Sequence, residues 1–251
     1  MNRVFIFDVD GTLTPSRQKM TKEFKEFFQE WSKKNKFYLV TGSDLPKLQE
    51  QMDYMDIEAE GIFTCCGNQF WKPDPHIVNI SAELIYENKF KLPDHLDMFL
   101  KIILSQSKYP KRCGNHIEDR GSMVNFSIVG RDCTLEERQE YFEYDKKVGE
   151  REKIANIIKN KAKGIEAVLG GQISIDIYPE GNDKSQVFKH IEEIENTYCP
   201  DEYIFIGDRT EEGGNDYPLS QLLNHKDMPY GYAYQTKGWE NTQQILEKIS
   251  D

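Results

Sequence analysis

The chain has 251 residues, of which 38% are hydrophobic and 12% aromatic, and a formal net charge of −11. That length allows one large domain or two modest ones, and the apolar share supplies a core and excludes global disorder. The acidity argues against a general grip on nucleic-acid phosphates or anionic lipid, and no run approaches the roughly 18 apolar residues of a membrane span.

The first strand is predicted at Val4, Phe5, Ile6 and Phe7, an apolar run of the kind buried on both faces of a parallel sheet. No apolar signal segment is expected before it. It ends in "DVDGTLT", which places Asp8 and Asp10 where open α/β sheets bind ligands, at the carboxyl end of a strand. Two neighbouring carboxylates repel unless they share a proton or a cation, so a divalent metal is expected. Phe24, Phe27, Phe28 and Trp31 recur at helical spacing and predict a helix starting near Thr21. "KFYLVTGSD" reads as a second buried strand. Ser43 or Asp44 can cap the next helix, with Pro46 in its first turn and Leu45, Leu48, Met52 and Met55 facing inward. "EGIFTCCG" reads as a third strand, and this βαβαβ opening predicts a parallel sheet covered by helices.

The middle has a different pattern. Val124, Phe126 and Ile128 alternate with polar residues, as do Ile173, Ile175 and Ile177, which predicts an antiparallel sheet with one wet face. One helix is expected before these strands (Leu96, Phe99, Leu100, Ile103) and another between them, from about Leu135 to Ala162. From about Asp183 a helix leads to "EYIFIGD", again an apolar strand ending in Asp, and a final strand and helix follow. The expected architecture is α/β: a Rossmann-like core with a parallel sheet (1–81 and 183–251), interrupted by an inserted α+β cap with an antiparallel sheet (82–182).

Four motifs fall at or beside core strand ends in the order "DVDGTLT", "VTGSD", "NDKS" and "GDRTEEGGND". In this order they resemble the motifs of the haloacid dehalogenase superfamily of phosphotransferases. "FDVDGTLTPSRQKMTKE", "GRDCTLEERQEYFEYDKK" and "GGQISIDIYPEGNDK" narrow the resemblance to the eukaryotic-type phosphomannomutases, collinear over essentially the whole chain. Chemistry gives the same residues roles. Asp8 is placed as a nucleophile toward a phosphoryl group, and Asp10 as the acid and base for the sugar oxygen. Asp208 would close a Mg²⁺ site with Asp8 and, as the family implies, the backbone carbonyl of Asp10, while Asn215 and Asp216 orient the metal and its waters. Lys184 would neutralise phosphoryl charge, and Thr41 and Ser43 would donate hydrogen bonds to it. Between these two the choice is open: Thr41 matches the wider superfamily, whereas phosphomannomutases more often have Gly there. Taken alone, Asp-x-Asp is ordinarily a loop feature and Lys184 a solvated helix start; their joint order on strand ends is what argues for a site.

In "SIDI" Ser174 and Asp176 share the face opposite the apolar residues, where they could bind sugar hydroxyls. Thr134-Leu-Glu-Glu137 is a capping-box pattern that puts Arg138 near the positive end of a helix, an unfavourable place unless an anion binds. The alternative is a solvated helix arginine. By resemblance, Arg17, Arg120, Arg131 and Arg138 ring the phosphate that is not being transferred, and guanidinium forks suit that task. The resemblance implies sugar phosphates as substrates, Mg²⁺, a hexose 1,6-bisphosphate primer and a homodimer through the cap, with no nucleic acid or membrane partner. A Mg²⁺-dependent sugar phosphatase is the alternative, because both reactions use the same core residues; a non-catalytic sensor would have no need of a nucleophile. Thr64–Asn68 stand where the family usually has Glu-Asn-Gly, and at the dimer surface Cys113 replaces a usual arginine and His116 a bulky apolar residue. Cys113-x-x-His116 is a weak zinc signal without a second pair. Cys65-Cys66 reads as a strand end sooner than a redox device, and the five cysteines, without framework spacing, fit a reducing cytoplasm.

Overall fold

A computed structural model describes residues 2–53, 58–74, 82–196 and 200–250. The chain opens with β1 (Arg3–Phe7), α1 (Lys22–Ser32), β2 (Lys36–Val40), α2 (Leu45–Gln51), β3 (Gly61–Thr64), β4 (Gln69–Pro73) and β5 (Ala82–Glu87). It continues through α3 (Asp94–Gln106), β6 (Ile117–Asp119), β7 (Val124–Ser127), α4 (Leu135–Val148), α5 (Glu150–Lys161), β8 (Ile165–Gly170) and β9 (Ser174–Pro179). It closes with α6 (Gln186–Glu195), β10 (Glu202–Gly207), α7 (Tyr217–Leu223), β11 (Gly231–Gln235) and α8 (Trp239–Ser250). Two compact units result, residues 1–87 with 183–251, and residues 88–182.

The first unit is a seven-stranded sheet in the order β11-β10-β1-β2-β3-β4-β5, parallel from β11 to β3 and antiparallel thereafter. Its central strands are apolar throughout because both faces are covered. Phe5 and Phe7 face one core with Phe24, Phe28, Trp31 and Phe37, while Val4 and Ile6 face another with Val187, Phe188, Ile191, Leu219 and Leu223. The Thr21 side chain caps α1 by accepting Phe24 N–H at 3.3 Å, and the α1 rings meet the sheet edge-to-face, with Phe7 and Phe28 centroids 5.6 Å apart. Each such ring buried contributes roughly 1.5–3 kcal/mol. Asp44, not Ser43, caps α2, and its side chain accepts Lys47 N–H at 3.0 Å. Leu45, Leu48 and Met52 are buried as expected; Met55 lies outside the described residues.

Two strands extend this sheet beyond the sequence-based expectation. A tight turn at Cys65–Gly67 reverses the chain so that β4 pairs with β3, and β5 pairs with β4. The break between the units therefore falls after Glu87, where the sequence reading placed it after 81. At the sheet edge β5 carries the half-exposed or exposed pattern of a strand with no alternating apolar face, and β4, although paired on both sides, is buried only at Gln69 and Phe70.

The second unit is a four-stranded antiparallel sheet in the order β6-β7-β9-β8, its apolar face closed by α3, α4 and α5. The helix expected from Leu135 to Ala162 is two helices, broken where Gly149 turns left-handed at φ 62°. The polar face is not wet as expected: Asn125, Ser127, Ser174 and Asp176 are all buried. Asn125 Nδ2 donates to Asp176 Oδ1 at 2.6 Å and Ser174 Oγ to the Gly170 carbonyl at 2.7 Å, while Asn125 Oδ1 is buried with no hydrogen-bond partner among the described residues. Among the described residues no helix is long and apolar enough to cross a membrane.

Candidate active site

At the end of β1 the chain turns sharply, with the amides of Thr12, Leu13 and Thr14 all donating to the Val9 carbonyl. Gly11 sits at φ 91°, and a Cβ there would lie 2.6 Å from Asp208 Oδ2, so only glycine lets the β1 and β10 loops approach this closely. Asp8 is 4% exposed. Its Oδ1 accepts from Lys184 Nζ at 2.6 Å and its Oδ2 from Thr12 Oγ1 at 3.1 Å. The same Lys184 Nζ donates to Asp216 Oδ1, also at 2.6 Å, and Asp216 Oδ2 accepts Arg209 N–H at 3.0 Å. The structure thus brings together Asp8, Lys184, Asp208 and Asp216 from three separate stretches of chain. Asn215 is buried beside Asp216 in the same loop.

One carboxylate oxygen each from Asp8, Asp208 and Asp216 lie within 4.8 Å of one another. Burial pushes the Asp8 carboxyl up to about 7; Lys184 pulls it back, and Asp216 and Asp10 push it further. Burial, followed by Asp8 and Asp216, holds Asp208 well above the usual carboxylate range. Burial works against the charge on Lys184, but Asp216 and Asp8 outweigh it, so its pKa is raised and it stays an ammonium. Three carboxylates share one buried ammonium, with Arg209 a weaker influence on Asp208. The donor set is all hard oxygen, and the excess negative charge fits a divalent metal such as Mg²⁺.

Asp10 stands outside that lysine network. Its Oδ1 accepts from Gln51 Nε2 at 2.6 Å and from the Arg17 backbone amide. Thr41 is buried, and its hydroxyl accepts Ser43 N–H at 3.1 Å, which leaves its own proton to donate elsewhere. The Thr64–Asn68 departure is a turn docked on this loop: Cys65 N–H donates to the Ser43 carbonyl at 3.0 Å and Cys66 N–H to the Thr41 carbonyl at 2.9 Å. Cys65 and Cys66 adopt left-handed φ of 52° and 59°, strained for residues with a Cβ. Neither is disulfide-bonded, and neither are Cys113 and Cys133. Among the described residues the Asp8, Asp208 and Asp216 group is the one cluster of metal-ligand geometry, so Cys113 and His116 do not form a zinc pair with further ligands; His116 Nδ1 instead meets the Ser127 carbonyl at 2.9 Å.

In the second unit Glu118, Asn125 and Asp176 lie opposite one another on β6, β7 and β9, forming a polar row across the sheet. Glu118 Oε2 receives Arg120 Nε at 2.9 Å and Arg131 Nε at 3.4 Å, so two of the expected guanidinium groups converge on one carboxylate. Arg131 Nη1 is buried without a hydrogen-bond partner among the described residues. The Thr134–Glu137 capping box is present. Arg138 is 4% exposed and donates from Nε to Gln172 Oε1 at 2.8 Å, which overturns the solvated alternative.

Sequence reasoning missed Thr12, Gln51, Glu118 and Gln172. Gln51 carried a usable signal, since a polar residue falls on the inward stripe of Leu45 and Leu48. Gln172, in a loop, carried none.

A profile of the eukaryotic phosphomannomutase family matches residues 24–250. A phosphomannomutase of Encephalitozoon cuniculi is 38% identical over 236 residues, covering 90% of this chain and 86% of that protein. A probable phosphomannomutase of Caenorhabditis elegans is 34% identical over 254 residues, covering 98% and 94%. The human phosphomannomutase 1 is 36% identical over 220 residues, covering 85% and 81%. In three dimensions the chain is similar to the C-terminal domain of the trehalose-6-phosphate phosphatase of C. albicans, with a TM-score of 0.64 at 18% identity over 99% of this chain and 90% of that one. A Thermoplasma acidophilum structure matches with a TM-score of 0.58 at 18% identity, covering 100% and 99%. The chain belongs to the eukaryotic phosphomannomutase family and has the fold of the haloacid dehalogenase superfamily.

Proposed function

We propose that the protein interconverts mannose 6-phosphate and mannose 1-phosphate through an aspartyl phosphate on Asp8 and a hexose 1,6-bisphosphate that turns end for end between two transfers. The observation that carries this reading is the pairing of Asp8 with Lys184 at 2.6 Å, while Asp10, two residues on, is held by a separate set of donors. One carboxylate lies beside a cation for attack on phosphorus, and the other is held apart to handle the proton. Lys184 lowers the charge that the nucleophile meets on the phosphoryl oxygens, and Thr41 or Ser43 supplies a hydroxyl donor there. Mg²⁺, held by Asp8, Asp208 and the Asp10 backbone carbonyl with Asn215 and Asp216 behind them, would neutralise phosphoryl charge during transfer. In the second unit Arg120, Arg131 and Arg138 are the groups we assign to the phosphate not in transfer, and Ser174 and Asp176 to sugar hydroxyls. The unmatched Arg131 Nη1 supports this, because a buried guanidinium N–H without an acceptor costs about 1–3 kcal/mol unless a ligand completes it.

Phosphorus-31 NMR of the protein with Mg²⁺ and mannose 1-phosphate, with and without glucose 1,6-bisphosphate, tests the reading. Primer-dependent mannose 6-phosphate with little inorganic phosphate is expected. Inorganic phosphate as the main product would replace the mutase with a sugar phosphatase.

A further inference from the structure

Gln51 ends α2 and is 1% exposed. Its Nε2 donates to Asp10 Oδ1 at 2.6 Å, while its Oε1 is buried with no hydrogen-bond partner among the described residues. Such an unmatched buried acceptor is destabilising, a cost that leucine or methionine of similar volume would not carry. Packing alone therefore does not account for the amide. Its orientation is dictated by its neighbour, since turning the carboxamide over would set oxygen against a carboxylate. The Gln51 carbonyl also accepts Met20 N–H at 2.7 Å, which ties the end of α2 to the far end of the loop that begins at Asp10. A second donor, the Arg17 amide, reaches the same Asp10 Oδ1 from a backbone at φ 55°. On the other oxygen, Oδ2, the Ser16 hydroxyl stands at 3.5 Å, the outer limit of a hydrogen bond.

We propose that Gln51 is a positioning residue for Asp10: with the Arg17 amide it occupies Oδ1, fixes the carboxyl plane and leaves Oδ2 as the oxygen that carries the proton. This rests on the reading of Asp10 as the acid and base. When the aspartyl phosphate gives its group to a sugar phosphate, Asp10 Oδ2 accepts the proton of the attacking hydroxyl as its oxygen bonds to phosphorus and the aspartyl bond breaks. When Asp8 takes the other phosphoryl group from the bisphosphate, the Asp8 oxygen–phosphorus bond forms, the phosphorus–sugar oxygen bond breaks, and the leaving sugar oxygen takes its proton from Asp10 Oδ2. A carboxyl group that rotates misdirects that proton in both halves.

The test separates this role from a structural one by the leaving group. With mannose 1-phosphate, Mg²⁺ and bisphosphate primer, Gln51→Leu is expected to lower kcat about 100-fold at unchanged KM. Under single-turnover conditions with enzyme in excess, the same variant is expected to release nitrophenolate from p-nitrophenyl phosphate at the wild-type rate, because nitrophenolate departs without a proton. Gln51→Glu, which sets a second carboxylate against Asp10, is expected to show the same split. A kcat within a few-fold of wild type, or equal losses on both substrates, would overturn the positioning role alone. Wild-type protein that releases no nitrophenolate and turns over no sugar phosphate would overturn the underlying reading, and this inference with it.

Discussion

Replacing Asp8 by asparagine should make the metal-free protein more stable, by an amount set by the charge crowding around that side chain. Asp8 rises from an ordinary 3.8 to about 7 because it is buried beside Asp216 and Asp10, with Lys184 compensating only in part. At about 1.4 kcal/mol per pH unit, that rise corresponds to on the order of 4 kcal/mol of native-state cost when Asp8 ionises. The folded protein binds this proton more tightly than the unfolded chain, so the stability is present at low pH and is lost as pH rises through about 7. Asparagine has the shape of the protonated acid without the charge. In a chelator at pH 8, Asp8→Asn should therefore melt about 10 °C above wild type, the shift expected for roughly 4 kcal/mol in a domain of this size. At pH 5 the gap should shrink to less than half, since most Asp8 in the folded protein is then neutral. Saturating Mg²⁺ should narrow the gap at pH 8 by stabilising the wild type through binding. Thermal unfolding followed by circular dichroism measures all three, and turnover of mannose phosphates should be abolished throughout. An Asp8→Asn protein that melts below wild type at pH 8 in chelator, or a gap independent of pH, would falsify the crowding account.

The other perturbations probe the same architecture from different sides. Lys184→Met removes the one cation between Asp8 and Asp216 and should cost about 3–5 kcal/mol near neutral pH, read by chemical denaturation, along with all turnover; a loss below 1 kcal/mol would mean the carboxylates do not depend on it. Gly11→Ala forces a Cβ to within 2.6 Å of Asp208 Oδ2 at φ 91°, so the Mg²⁺ concentration needed to raise the melting temperature should increase at least tenfold. An unchanged Mg²⁺ titration would show that the loop can give way. Arg138→Ala should lower kcat/KM for mannose 1-phosphate about 100-fold, as loss of a buried charged contact does, with a much smaller loss on p-nitrophenyl phosphate. Equal losses on the two substrates would count against its distal-phosphate role.

The core of the fold was legible because each central strand is covered on both faces, and double burial writes itself as an unbroken apolar run. Phe5 and Phe7 on one side and Val4 and Ile6 on the other needed no pairing information to be read as a strand. Of the four antiparallel strands of the second unit, β7 and β9 were legible for the complementary reason, strict alternation at residues such as Ile173, Ile175 and Ile177, while β6 and β8 were not read. Strand β5 was not, because its edge position relaxes both patterns, nor was β4, which is paired on both sides but buried only at its start, and the split at Gly149 was hidden inside a continuous run of helix-forming residues. The burial of Ser174 and Asp176 was equally hidden. Polar alternation says only that a face is polar; whether water covers it depends on cross-strand partners such as Asn125, which alternation does not name.

The same division runs through the site. Asp8, Asp208 and Lys184 were legible because each follows or precedes a core element in a recognisable order, so a position in the chain translated into a position at the sheet edge. What the order did not carry is the balance of charge. Three carboxylates around one ammonium is a statement about burial and distance, and it decides which groups hold protons. Gln51 lies further along the same scale: it is 41 residues from Asp10, on a helix whose apolar stripe makes any buried side chain look structural. Its polar side chain interrupts that stripe, and its contact with Asp10, set against the unmatched oxygen on its other side, says what the interruption is for. A polar side chain that leaves one buried atom unsatisfied in order to hold a reactive group is a local loss of stability, and in the α2 stripe it is the departure from apolar periodicity that marks where such a loss is tolerated.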